Sequence, residues 1–184
     1  MVKNLLLLAL TRNAILQHRF KQADSLLQLA KAVGIKKYDA LATAFDVNFE
    51  LGKIIAAEGN LNSIKAGNDY GYQFRQSRMM HYKGDLDSSI NAMQQAVLLA
   101  NTDSNLMQVA LANVADLYIH TGKLNKAYEA YTQCIKINAT DLRSIMGMGW
   151  IALMYDNNDS LAEKYFSLHL PKQNLRTLYL NLYK

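Results

Sequence analysis

The chain has 184 residues, of which 51% are hydrophobic and 19% charged, a balance that excludes a disordered polymer. It contains one proline, which favours helices because proline interrupts the helical hydrogen-bond ladder. The net charge of +5 permits an acidic partner, but Lys and Arg are scattered and their longest cluster is Lys36-Lys37, short of a nucleic-acid patch.

The leucine run Leu5–Leu10 imitates the apolar core of a signal peptide, but no small-x-small cleavage site follows it, so it is read as the first helix. No apolar run approaches the ~20 residues of a membrane-spanning helix. A second helix is expected over 20–33, with Ala23, Leu26, Leu27 and Ala30 inward and Gly34 at its end. His18-Arg19 stands in the turn where glycine is expected. The next hairpin spans 38–69 with its turn at Glu50-Leu51-Gly52-Lys53. Its second helix, 54–66, is expected to be interrupted at Gly59-Asn60, at a cost of about 1 kcal/mol relative to alanine. Phe45 stands where a small crossing residue would be usual.

The third hairpin, 70–103, turns at Tyr82-Lys83-Gly84-Asp85-Leu86 and continues in a regular helix from Asp87 to Ala100. Thr102-Asp103-Ser104 then supplies N-cap chemistry. From 108 to 141 the spacing is clearest. Leu111, Val114, Ala115 and Tyr118 fall at i, i+3, i+4 and i+7, Gly122 marks a turn, and Leu124, Ala127, Tyr128, Tyr131, Cys134 and Ile135 make a second apolar face. Cys134, the single cysteine, is read as a small buried core residue. A fifth hairpin, 142–171, has Asp156-Asn157-Asn158-Asp159 as a turn one residue longer than the others. The tail 172–184 places Leu175, Leu178, Tyr179 and Leu182 on one helical face, as a cap or the first half of a further hairpin.

One pairing recurs through these hairpins: a small residue followed four places later by a large apolar one. Ala23/Leu27, Ala57/Leu61, Ser89/Met93, Ala127/Tyr131 and Ala162/Phe166 are spaced by 34, 32, 38 and 35 residues. The 34-residue unit at 108–141 and these periods resemble the tetratricopeptide repeat, most closely at 70–101 and 108–141 and across 4–171 overall. The resemblance implies an all-α solenoid of about five stacked antiparallel hairpins in a right-handed superhelix, forming a single repeat domain over 1–184 with units at 4–37, 38–69, 70–103, 108–141 and 142–171.

The resemblance also implies that the first helix of each hairpin lines a concave groove binding a peptide or a segment of another protein. The residues expected there are Arg12, Asp46, Phe49, Phe74, Arg78, His81, Tyr82, Asp116, His120 and Trp150. The family's carboxylate clamp is not expected, since Ala42 and Asp46, Phe74 and Arg78, and Ala112 and Asp116 occupy its places. Arg78 and Asp116 either engage the partner or pair with each other across adjacent hairpins. The alternative function is nucleic-acid binding by a basic helical repeat, disfavoured by the alternation of Arg and Asp. The apolar ends suggest self-association, or a tail folded over the last hairpin.

No enzymatic activity, cofactor or membrane association is expected. His81 and His120 occupy similar places in successive hairpins without a matched third ligand, so a metal site is disfavoured. Gly147 and Gly149 lack a lysine at phosphate-loop spacing, and His18, His169, Ser25 and Ser167 form no catalytic arrangement.

Overall fold

A computed structural model describes residues 2–168, with side chains described from Leu6 onward. The expected tail helix at 172–184 and the helix-ending Pro171 lie outside the described residues. The described chain folds as ten α-helices, in two compact units divided between Asp85 and Leu86.

The first unit contains α1 (Val2–Leu16), α2 (Phe20–Ala32), α3 (Lys37–Glu50), α4 (Ile54–Ile64), a 3-10 turn (Lys65–Gly67) and α5 (Tyr70–Tyr82). Short turns make α1 and α2, and α3 and α4, antiparallel neighbours. α3 also packs on α1, α2 and α5. The small residues of the sequence pattern lie at these crossings: Ala23 and Ala57 are fully buried, and Leu27 and Leu61 are 2% exposed. Phe45 does not disrupt the crossing it occupies. It is fully buried among Ala42, Ala57, Leu61, Ile64, Tyr72 and Met79, a burial that stabilises by roughly 1.5–3 kcal/mol.

The second unit contains α6 (Leu86–Ala100), α7 (Ser104–His120), α8 (Leu124–Ile137), α9 (Leu142–Met154) and α10 (Asp159–Ser167). Each helix packs on the next, and α9 also touches α7. Ser89, Ala127 and Ala162 are fully buried, as the repeat pattern requires, with Met93, Tyr131 and Phe166 beside them at 2%, 2% and 1% exposure. Cys134 is buried with Leu111 and Ala112. The long 38-residue spacing is accommodated by α7, which runs 17 residues from the Asp103 cap. Asp103 accepts hydrogen bonds from the Asn105 and Leu106 amides at 3.1 and 3.0 Å.

The turns after α1, α3, α5 and α7 share one closure. In each the amide after a left-handed residue donates to a carbonyl five residues back: Arg19 to Ala14, Lys53 to Asn48, Asp85 to Met80 and Lys123 to Tyr118, at 2.8–3.0 Å. This bond satisfies a helix-end carbonyl that would otherwise face water. Gly122 takes the left-handed position with φ 69°, and His18 takes it in the first hairpin with φ 56°. The degenerate first turn is therefore a glycine turn in geometry with histidine in sequence. In the fifth hairpin Asn157 is left-handed and the Asn158 amide reaches six residues back to Ala152, one residue more than elsewhere.

One local expectation is corrected. α4 runs unbroken through Gly59 and Asn60 to Ile64. Gly59 faces open space, so it costs only its propensity, which the burial of Ala57, Leu61 and Ile64 on the opposite face offsets. The chain leaves the helix after Ile64, through the 3-10 turn and Asn68 at φ 39°.

Candidate functional site

The face formed by α3 and α5 in the first unit carries most of the residues singled out in the sequence. Their starts are held side by side. Asp69 caps α5 by accepting from the Tyr72 amide at 2.8 Å, and the Tyr38 hydroxyl of α3 donates to the same carboxylate oxygen at 2.5 Å. Burial and the adjacent Asp69 both push the Tyr38 hydroxyl well above its ordinary pKa, so it stays a neutral donor.

Two turns further along α3, Asp46 accepts from Arg75 through both carboxylate oxygens, at 3.1 Å from Nε and 2.5 Å from Nη2. Arg75 also donates to the Ala42 and Gly71 carbonyls, so its planar fork ties α3 to α5. Arg78 reaches the same Asp46 at 3.4 Å and Glu50 at 2.6 Å. Its guanidinium lies 4.6 Å from the centroid of the Phe49 ring. Phe49 stacks on buried Phe45 at 5.4 Å and meets Tyr82 edge-on at 5.9 Å. A ladder of rings thus rises from a fully buried Phe45 to a Tyr82 that is 61% exposed. Phe74 stacks on Tyr70 at 5.9 Å.

The remaining residues fall as follows. Arg12 is exposed on α1 and His81 is exposed at the end of α5. Asp116 and His120 lie on α7 and Trp150 on α9, all in the second unit. Trp150 is partly buried against Ala152, Leu153 and Ala162, edge-on to Phe166 at 6.3 Å. Asp116 accepts from the Tyr131 hydroxyl and from Arg143. Burial, then that hydrogen bond, pushes the Tyr131 hydroxyl far above its ordinary pKa. Arg78 and Asp116 accordingly each have opposite-charge partners within their own unit.

An arrangement thus repeats in the two units: an aspartate on the first helix of one hairpin is held by an arginine on the first helix of the next. The sequence singled out Asp46 and Asp116 but neither Arg75 nor Arg143. The signal was available as an arginine 27 to 29 residues after each aspartate, near the repeat period. Among the described residues no group of three or more His, Cys, Asp or Glu is placed to hold a metal, and no helix is long and apolar enough to cross a membrane.

Comparison with known proteins agrees with the repeat pattern. A tetratricopeptide-repeat profile matches residues 109–141. A probable assembly chaperone of rpl4 from Emericella nidulans is 22% identical over 87 residues, which is 47% of this chain; the matched stretch spans 23% of that relative's length. The solved structure of pilF from Pseudomonas aeruginosa superposes with a TM-score of 0.71 at 12% identity, covering 90% of this chain and 74% of that one. A Podosopora anserina putative kinesin light chain with nearly identical TPR-like repeats superposes with a TM-score of 0.62 at 16% identity, covering 88% of this chain and 92% of that one. These likenesses are of fold. Taken with the five buried small–large pairs and the matched repeat, they show that this chain has the tetratricopeptide-repeat fold.

Proposed function

We propose that the chain is a protein-interaction module whose α3–α5 face takes up a segment of another protein. The observation that carries this reading is the ring ladder from Phe45 through Phe49 to Tyr82. A large ring exposed at the end of a rigid, core-anchored stack offers contact area at little cost in conformational entropy, which is how aromatic hot spots work. Phe74 and Arg78 extend the face, and Asp46 and Glu50 hold Arg78 in place. The similarity to a protein named as an assembly chaperone supports a protein as the partner. An oligonucleotide would find the arginines of this face, Arg75 and Arg78, already neutralised by Asp46 and Glu50.

Replacing Tyr82 with photoreactive benzoylphenylalanine in the full chain tests the reading. A recurrent crosslinked polypeptide is expected from position 82. It should be absent when the same group replaces Leu98, which is 70% exposed in the second unit, and should fade with Phe74→Ala. Equal products from positions 82 and 98, or none from 82, would remove the face from consideration.

A further inference from the structure

Tyr70, Phe74, Arg78 and Tyr82 recur every fourth residue along α5. Residues so spaced form a single ridge, rising about 6 Å per step. The ridge reads ring, ring, guanidinium, ring. Its repeat matches that of a second helix whose apolar side chains also fall at i, i+4, which could lay them between the rings.

Charge narrows the partner. Residues 1–85 hold twelve Lys and Arg against seven Asp and Glu, whereas residues 86–184 hold eight of each. The whole net charge of the chain therefore belongs to the unit that carries the ridge. The arginines on the ridge's flank are already neutralised by Asp46 and Glu50, so the excess lies elsewhere in the unit. Lys36 and Lys37 are exposed at the start of α3. The Tyr38–Asp69 bond sets that start beside the Tyr70 end of α5. Lys36, Lys37 and Lys65 outnumber Asp39 and Asp69 around that end, so the ridge runs from a net basic end at Tyr70 to an exposed ring at Tyr82.

Resting on the interaction-face reading above, we infer that the ridge takes an acidic amphipathic helix of another protein. Its apolar i, i+4 residues lie along Phe74 and Tyr82, and its carboxylates meet Lys36 and Lys37. Complementary charge of this kind sets orientation and association rate, and weakens with salt.

A phage library of random peptides about sixteen residues long, enough for four helical turns, selected on the full chain, tests this. The recovered peptides should be net negative with apolar residues four apart. Measured by fluorescence anisotropy, Tyr82→Ala should weaken them about tenfold or more, as should the pair Lys36→Glu, Lys37→Glu. All three positions are exposed, and equal melting temperatures confirm that the variants fold. Binding should fall as salt rises from about 0.05 to 0.3 M. Neutral or basic peptides that still depend on Tyr82 overturn the acidic assignment and leave the interaction face standing. Peptides indifferent to Tyr82, or none recovered, overturn both. Tighter, Tyr82-dependent binding of a single-stranded oligonucleotide assigns the ridge to nucleic acid and overturns both as well.

Discussion

The Tyr131 ring of α8 fills the space that a side chain on Gly147 of α9 would need. A Cβ at Gly147 would lie 2.4 Å from Tyr131 Cζ and 2.7 Å from its hydroxyl oxygen. Gly149 stands in the same relation to Phe166 of α10, with a Cβ 2.4 Å from the ring. Tyr131 cannot swing aside easily, since it is 2% exposed and its hydroxyl is bound to Asp116. Alanine for glycine inside a helix usually gains up to about 1 kcal/mol. Here Gly147→Ala should lose about 1–3 kcal/mol through overpacking. Gly59→Ala, facing open space in α4, should show the ordinary gain. Urea unfolding of the two variants checks the sign, and a stabilised Gly147→Ala would contradict the close crossing.

The hairpin turns give opposite expectations for histidine and glycine. His18 and Gly122 occupy the same left-handed position, at φ 56° and 69°. An L side chain there costs roughly 1–2 kcal/mol, whereas glycine accepts it freely. Nothing crowds Gly122, so Gly122→Ala should cost about 1 kcal/mol for conformation alone. His18→Gly should gain less than that, because it also gives up the edge contact with Phe20 at 5.7 Å. Calorimetric melting of the pair tests it; a stabilised Gly122→Ala would sink the argument.

Tyr131 also predicts an alkaline response. Burial and the bond to Asp116 keep its hydroxyl protonated in the folded chain, above the ordinary value of 10.0. The unfolded chain ionises near that ordinary value. Above about pH 10 the unfolded state therefore holds fewer protons than the folded one, and stability falls by up to about 1.4 kcal/mol per pH unit. Below pH 10 the stabilisation is fully present. Tyr131→Phe should lower stability at pH 8 by about 1 kcal/mol through the lost hydrogen bond, yet make its decline above pH 10 shallower. Parallel urea-midpoint curves for the two proteins would refute the assignment.

Much of the fold was legible because the repeat pattern is local. Ala23/Leu27, Ala57/Leu61, Ser89/Met93, Ala127/Tyr131 and Ala162/Phe166 could each be read from residues four apart, and all ten are buried. The extra residue in the last turn was legible for the same reason. Gly59 was misleading because propensity alone cannot tell an outward glycine from a helix break. Gly147 and Gly149 were read only as lacking a phosphate loop, since the rings that require them come from α8 and α10. At the candidate site, Asp46, Phe49, Arg78 and Tyr82 were legible from their places on the first helices, but Arg75 was not. Its role depends on a contact across 29 residues, which no local spacing reveals.

That contact makes Asp46 the residue on which the face depends most. Its side chain is 18% exposed and that of Arg75 is 13% exposed, so both have given up most of their water. Asp46→Asn would leave Arg75 and Arg78 without the carboxylate they share. Removing one member of a fully buried pair costs about 3–5 kcal/mol, and an exposed pair contributes less than about 1. A cost of about 2 kcal/mol is expected for this intermediate case. Arg78→Gln should cost under about 1 kcal/mol, since Arg75 still satisfies Asp46 and Glu50 is 31% exposed and can rehydrate. Arg78→Glu is a harsher change, because it sets a third carboxylate beside Asp46 and Glu50. A double-mutant cycle on Asp46→Asn and Arg75→Gln should show coupling, with the double variant less destabilised than the sum of the singles. Additive effects, or an Asp46→Asn cost below about 0.5 kcal/mol, would mean that the pair does not hold α3 to α5.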